Sequence, residues 1–256
     1  MRDNHTLSEL ERGNTVSGAW LLSHSARSAE VLSRTDLDWV GVDAEHAPYS
    51  PDRVEHVVRA IEPGATPIVR LPSVERAVSG ATKHALDVGA QGVIVPSVES
   101  AAEAEAVVRS AYFPPAGERG VAGTTRANGY GEAFDEHVRD TAAETLVAVQ
   151  IESPAGVESV DEIVAVDGID VAFVGENDLS AVLGHPGETD RPAVRTAVER
   201  VRDAAVERGV VPGIAGRTPA ERAERAERGF RFFLLGADLR FMRRGVDAFL
   251  SGSTGE

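Results

Sequence analysis

The chain has 256 residues, a formal net charge of −15, 42% hydrophobic and 26% charged residues, and no cysteine. This composition excludes a disulfide framework and a thiolate metal site, and argues against disorder and against a surface that binds phosphate backbones. The opening stretch MRDNHTLSELERGN lacks the apolar core of a signal peptide, and no run is long enough for a membrane span, so a cytoplasmic protein without nucleic-acid or membrane partners is expected.

Short apolar runs then alternate with amphipathic stretches, the pattern of βα units around a parallel sheet. The first unit reads as strand Ser17–Leu22 and helix Ser28–Arg34, the second as strand Trp39–Asp43 and helix Pro51–Ile61. Strand Pro67–Leu71 with helix Glu75–Val88 and strand Gly92–Pro96 with helix Ala101–Ser110 follow. A Gly/Pro-rich segment from Tyr112 to Thr145 comes next; it is expected to be a lid, interface element or mobile loop with a short helix near Asp135–Ala143. Strand Leu146–Ile151 leads to helix Val157–Val166, and strand Val171–Gly175 to helix Ala193–Arg208. Strand Val211–Ile214 with helix Pro219–Arg228 and strand Arg231–Leu235 with helix Asp238–Leu250 complete the series.

Helix signals agree with these bounds. Ser50 before Pro51 and Thr218 before Pro219 are N-cap positions ahead of a proline at the first helical residue, and Gly89, Gly209 and Gly229 suit left-handed C-terminal positions. Eight such units without a linker predict an α/β fold, a (β/α)₈ barrel spanning residues 1–256 as one domain, in preference to an open doubly wound sheet.

Barrel active sites form at the C-terminal strand ends. There the sequence places Asp43-Ala44-Glu45-His46, Arg70, Gln150 with Glu152, and Gly175-Glu176-Asn177-Asp178, with His24 and Asp238 at the first and last strands. Glu152 and Asp178 come from neighbouring strands and suit a hard cation such as Mg²⁺ or Mn²⁺; the alternative is a hydrogen-bonded pair or helix-capping acids. Arg70 suits a substrate carboxylate or developing enolate, or else a buried ion pair with Glu45. Gly175–Ser180 begins a helical turn whose amides could cradle a carboxylate. His46 is the general acid/base candidate; His5, His56, His84 and His137 fall in terminal or helical patterns and receive no role. The acidic run Glu99–Glu105 reads as a solvated helix face. Lys83 is the only lysine and lies within a helical pattern, which argues against Schiff-base catalysis and, with the acidic surface, fits adaptation to high salt.

The segments DAEHAP (Asp43–Pro48), YFPPAGERG (Tyr112–Gly120), QIES (Gln150–Ser153) and GENDLS (Gly175–Ser180) resemble the HpcH/HpaI aldolase family, in the same order over nearly the whole chain. The resemblance implies a TIM barrel of the phosphoenolpyruvate/pyruvate superfamily type, commonly a hexamer with an exchanged C-terminal helix. It implies a class II aldolase that cleaves or forms 4-hydroxy-2-oxoacids, with pyruvate as the nucleophilic half. Glu152 and Asp178 are then the ligands of a divalent cation (Mg²⁺ or Mn²⁺, with Co²⁺ a further option). Gln150, Asn177 and Asp178 line the pyruvate site, His46 accepts the proton and Arg70 stabilises the transition state. Asp87 matches the acid that raises the basicity of the histidine; its place at a helix end requires either a neighbouring subunit to supply it or Asp43 as the local partner of His46. Two departures stand out: Glu176 occupies the position of a family proline, and Ala44 that of a frequent glycine. The aldehyde is expected to be selected by Trp20, Ile214, Ala215 and the Gly/Pro-rich loop. Rival readings are a carbon–carbon lyase acting on an acyl-CoA thioester and a non-catalytic barrel.

Overall fold

Runs rich in valine, isoleucine and small residues form the strands β1 (Val16–Leu21), β2 (Trp39–Asp43), β3 (Thr66–Arg70), β4 (Gly92–Val95), β5 (Leu146–Ile151), β6 (Val171–Val174), β7 (Val211–Ala215) and β8 (Phe232–Ala237). A computed structural model describes residues 3–48 and 50–252; Met1 and Arg2 of the polar N-terminal stretch lie outside them. Among the described residues the strands pair in parallel and in sequence order, and β8 pairs back onto β1 to close the barrel. The helices are α1 (His5–Glu11), α2 (Ala26–Ser33), α3 (Pro51–Ile61), α4 (Val74–Arg76), α5 (Thr82–Asp87), α6 (Ala101–Ala111), α7 (Phe134–Glu144), α8 (Pro154–Glu158), α9 (Val160–Ile163), α10 (Glu176–Val182), α11 (Pro192–Arg208), α12 (Pro219–Glu227) and α13 (Asp238–Leu250). No helix of the described residues is long and apolar enough to cross a membrane.

The predicted strands and most helices are present, with ends shifted by a residue or two. The predicted helix Glu75–Val88 is instead α4, a π-helical turn over Ala77–Ala81 and α5, because Gly80 takes φ +123° and interrupts the helical ladder. Helix Val157–Val166 resolves into α8, which starts earlier at Pro154, and α9. Thr218 caps α12 through the amide of Glu221, whereas Ser50 precedes α3 without a side-chain cap bond. Gly89, Gly209 and Gly229 have the expected positive φ.

Helix α1 was not expected. Its Leu7 and Leu10 are buried, Asn4 donates to the Gln91 carbonyl, and Thr6 donates to the Asp38 carbonyl and the Thr66 hydroxyl. Those partners lie at the beginnings of strands, so α1 covers the N-terminal end of the barrel, opposite the face where a site is expected.

Alternate strand residues point inward. The lower interior is apolar, with Trp39, Ile68, Ile94, Leu146, Phe173 and Phe232 in one cluster. Register explains how two indoles fit: Trp20 stands opposite Gly41 and Trp39 opposite Gly18. Trp39 stacks on Phe232 with ring centroids 4.6 Å apart and meets Trp20 edge-on at 5.5 Å. Such pairs contribute about 0.5–1.5 kcal/mol each beyond area burial. A Cβ on Gly41 would lie 2.2 Å from the Trp20 ring. Gly41→Ala is therefore expected to destabilise the fold by about 1–3 kcal/mol; an unchanged urea midpoint would count against this packing.

Candidate active site

The uppermost inward positions of the barrel are polar, and they open on a cleft of about 360 Å³ whose lining includes Asp43, His46, Arg70, Gln150, Asn177 and Asp178. Asp43 and Arg70 are register partners on β2 and β3. Their side chains therefore face the same way and meet as a two-pronged ion pair, Nε to Oδ1 at 2.9 Å and Nη2 to Oδ2 at 2.7 Å. Asp43 Oδ1 also accepts the backbone amides of Glu45 at 3.0 Å and His46 at 3.3 Å. Burial pushes the Asp43 carboxyl up, but the Arg70 hydrogen bond and charge, with the two amides, outweigh it and hold it below the ordinary carboxylate range.

Arg70 is fixed on its other sides as well. Its Nη1 lies 2.9 Å from Glu45 Oε2, and its guanidinium sits 4.5 Å from the centroid of the Trp20 ring. The expected ion pair of Arg70 with Glu45 is present and is joined by one with Asp43, and Arg70 also lines the cleft.

The imidazole of His46 is largely exposed at the rim, with Nε2 3.7 Å from Glu45 Oε2. Asp43 touches His46 only through the backbone amide. This corrects the expectation that Asp43 is the local partner of the imidazole; the neighbouring carboxylate is Glu45. Burial raises the Glu45 carboxyl, assisted by the charges of Glu152 and Asp43 against Arg70 and His46. A role beside His46 for Glu45 was missed because strand alternation does not reveal which way a turn residue faces.

Glu152 lies just beyond β5 and is buried. Its Oε1 accepts both the amide and the hydroxyl of Ser97 at 2.8 Å, and its Oε2 accepts Gln150 Nε2 at 3.0 Å. Ser97, at φ +53°, follows β4 and also escaped the sequence reading. Burial, then the charge of Asp178, raises the Glu152 carboxyl despite the Ser97 bonds. Gly175 is required here: a Cβ would lie 2.4 Å from Glu152 Oε2.

Two carboxylates close enough to repel, beside a buried Gln150 Oε1 that lacks a partner, form an all-oxygen donor set. That chemistry fits a hard divalent cation. Among the described residues no cluster of three or more His, Asp or Glu side chains that could hold a metal ion is present.

Asp178 lies in the first turn of α10, whose N-cap Gly175 offers no side-chain acceptor to the helix amides. The neighbouring Glu176 is buried and bonded by both oxygens to Arg225 of α12, at 2.7 and 2.8 Å. Asn177 Oδ1 accepts Arg217 Nη2 at 3.2 Å.

Several expected residues have other tasks. Asp238 accepts the amides of Leu22 and Ser23, and His24 bonds the Asp43 carbonyl through Nε2 at 2.7 Å. Trp20 and Ala215 line the cleft, but Ile214 faces the helices. The Gly/Pro-rich segment is not at the rim: Arg119 and Ala127 bond Asp87, and Arg126 bonds Glu62 and the Val88 carbonyl, beyond the C-terminal end of α5. Asp87 thus lies 2.5 Å from Arg119 and is not brought to His46 within one chain, because α5 runs back towards the opposite face. Lys83 lines a separate surface pocket between helices.

Comparison with known proteins agrees with this geometry. Residues 16–244 match the model of the HpcH/HpaI aldolase/citrate lyase family. The chain is 38% identical over 250 residues to a hydroxypyruvate/pyruvate aldolase of Paraburkholderia phytofirmans, covering 95% of both chains. It is 35% identical over 244 residues to a 2-keto-3-deoxy-L-rhamnonate aldolase of Klebsiella pneumoniae, covering 93% of this chain and 88% of the other. The crystal structure of an HpcH/HpaI aldolase/citrate lyase family protein from Burkholderia cenocepacia superposes with a TM-score of 0.92 at 35% identity, covering 98% of this chain and 100% of that one. With a closed barrel, a cleft at its C-terminal face and these relatives, the chain belongs to the HpcH/HpaI aldolase/citrate lyase family and is a carbon–carbon lyase.

Proposed function

We infer that this chain is a divalent-cation-dependent aldolase that interconverts a 4-hydroxy-2-oxoacid with pyruvate and an aldehyde. The observation that carries this is the grouping of Asp178, Gln150 and the restrained guanidinium of Arg70 around one cleft, with the buried Glu152 bonded to Gln150 and close enough to Asp178 to feel its charge. A bound Mg²⁺, Mn²⁺ or Co²⁺ held by Glu152 and Asp178 would supply Lewis-acid polarisation of the 2-oxo group.

The chain's own groups account for the remaining chemistry. Gln150, Asn177 and the first turn of α10 orient the oxoacid. In cleavage His46 accepts the proton of the C4 hydroxyl, the C3–C4 bond breaks to release the aldehyde, and its electron pair becomes the pyruvate enolate. Arg70, already fixed by Asp43, faces the developing oxyanion without reorganising. Return of a proton to C3 gives pyruvate, so the proton balance closes without an external oxidant or reductant. Glu45 is suited to pass protons between His46 and solvent, and Asp87 would act on the histidine only from a neighbouring subunit.

Helix α13 supports a reading of assembly. Leu239, Met242, Val246, Phe249 and Leu250 are exposed along it, with Phe249 at 74%. This apolar stripe supports a homo-oligomer, a hexamer by family resemblance, in which α13 packs on another copy. The acidic, lysine-poor composition supports function at high salt.

Exchange of pyruvate methyl protons in D₂O, followed by NMR, tests the aldolase reading without choosing an aldehyde. It is expected to require Mg²⁺ or Mn²⁺ and to stop with EDTA; absence of exchange with metal restored would overturn the reading. Glu152→Ala should lose both metal and exchange, while His46→Ala should keep metal and lose aldol turnover by about 10²–10⁴-fold. Because the raised Glu152 carboxyl must be ionised to bind metal, Mn²⁺ affinity should begin to fall on acidification at a higher pH than an ordinary carboxylate would dictate. Calorimetry at several pH values measures this, and a flat profile down to the ordinary carboxylate range would refute it. Light scattering should give the mass of several chains, falling when Phe249→Glu and Met242→Glu are combined; a wild-type monomer would exclude the assembly.

A further inference from the structure

The turn after β1 breaks two local rules at one residue. His24 has φ +49°, a left-handed conformation disfavoured for any residue with a Cβ. Its ring is buried, and Nδ1 has no hydrogen-bond partner among the described residues. Against these costs stands a single bond: Nε2 donates to the Asp43 carbonyl oxygen at 2.7 Å. A carbonyl only accepts, so the ring proton is on Nε2. Strain of this kind persists only where the surrounding structure holds it, and it gathers at functional sites.

The barrel register shows what the bond replaces. β1 and β2 are paired as far as Leu21 and Val42, so Asp43 has a strand partner only on the β3 side, where it meets Arg70. On the β1 side the His24 ring stands where the strand has ended. The turn that presents the ring is clamped at both ends. Asp238, the buried first residue of α13, accepts the amides of Leu22 and Ser23 at 3.0 and 3.3 Å, and Ser25 caps α2 through the amide of Ser28. His24 thus holds the main chain of the residue whose carboxylate fixes the Arg70 guanidinium and the amides of Glu45 and His46.

We propose that His24 is a positioning residue for the aldol reaction, setting the Asp43–Arg70 pair and the His46 turn in place through the Asp43 carbonyl. This rests on the aldolase reading above. The cleft lining includes Asp43, Arg70 and His46 but not His24, so the effect passes through Asp43 and not through contact with substrate. Glu152 and Asp178 come from the β5 and β6 side of the barrel, away from this turn, so cation binding is independent of it.

Two substitutions separate the hydrogen bond from the backbone conformation. Glutamine places its amide nitrogen as far along the side chain as Nε2. Asparagine falls one bond short but tolerates a positive φ better. Pyruvate methyl exchange in D₂O is measured per bound Mn²⁺, with the bound fraction taken from calorimetry, so that unfolded enzyme does not count. His24→Asn should bind Mn²⁺ as the wild type does and lose about tenfold in exchange kcat with KM for pyruvate little changed, short of the roughly hundredfold that a misplacement of about 1 Å can cost. His24→Gln should recover most of the rate. In an Arg70→Lys background the His24→Asn change should cost little more, because the fork that it positions is already gone. A merely structural turn gives the opposite order, with asparagine, the better fit to the backbone, at least as active as glutamine. That order, or full additivity with Arg70→Lys, overturns the proposal alone. Wild-type enzyme that fails to exchange pyruvate protons with metal restored overturns the aldolase reading and this proposal with it.

Discussion

The ion pair between Arg70 and Asp43 sets the geometry of the whole C-terminal face. It forms because the two residues are register partners on adjacent parallel strands, both pointing into the barrel above the last apolar layer. Removing one partner would leave the other charge buried and unpaired, at a cost on the order of 3–5 kcal/mol. From this pair the constraint spreads outward. Asp43 turns the chain so that Glu45 and His46 reach the rim, and Trp20 supports the guanidinium from below. Trp20 can stand there only because Gly41 is opposite it, which connects the site to the packing of the barrel interior.

The electrostatics follow the same arrangement. Asp43 is held ionised by direct bonds, whereas Glu45 and Glu152 are pushed up by burial and by neighbouring negative charge. A site that keeps one carboxylate committed and raises two others favours the arrival of positive charge, whether a proton or a divalent cation. Charges buried near one another at low dielectric interact strongly, so a cation that relieves the Glu152–Asp178 repulsion has a direct reason to bind there.

Glu176 illustrates how a departure from a family pattern can be absorbed. A carboxylate beside a turn proposed to bind the substrate carboxylate would be expected to repel it. Here it is buried and spent on Arg225, which also holds Glu221. The same cluster takes in Arg217, 3.7 Å from Glu221 and 4.0 Å from Glu176, which bonds Asn177.

The barrel was largely legible in the sequence because its signals are local. Trp39–Asp43, Leu146–Ile151, Pro51–Ile61 and Asp238–Leu250 have the bounds that apolar periodicity, a proline at the first helical residue and strand-end polar residues indicate. The grouping of Arg70, Gln150, Glu152, Asn177 and Asp178 at one face was legible too, since parallel strands bring all their C-terminal ends together. Other features depend on which residues become neighbours in space. The break at Gly80, the strand-bottom cover formed by α1, and Ser97 beneath Glu152 arise from backbone angles and contacts between distant segments. The transfer of the His46 contact from Asp43 to Glu45, the outward turn of Ile214 and the distance of Asp87 from the cleft have the same origin. The sequence by itself determined the fold and the chemical types at the strand ends, because both follow from periodicity along the chain. Only the tertiary structure decided which acid meets which base, because those pairings are set by strand register and by side chains arriving from other elements.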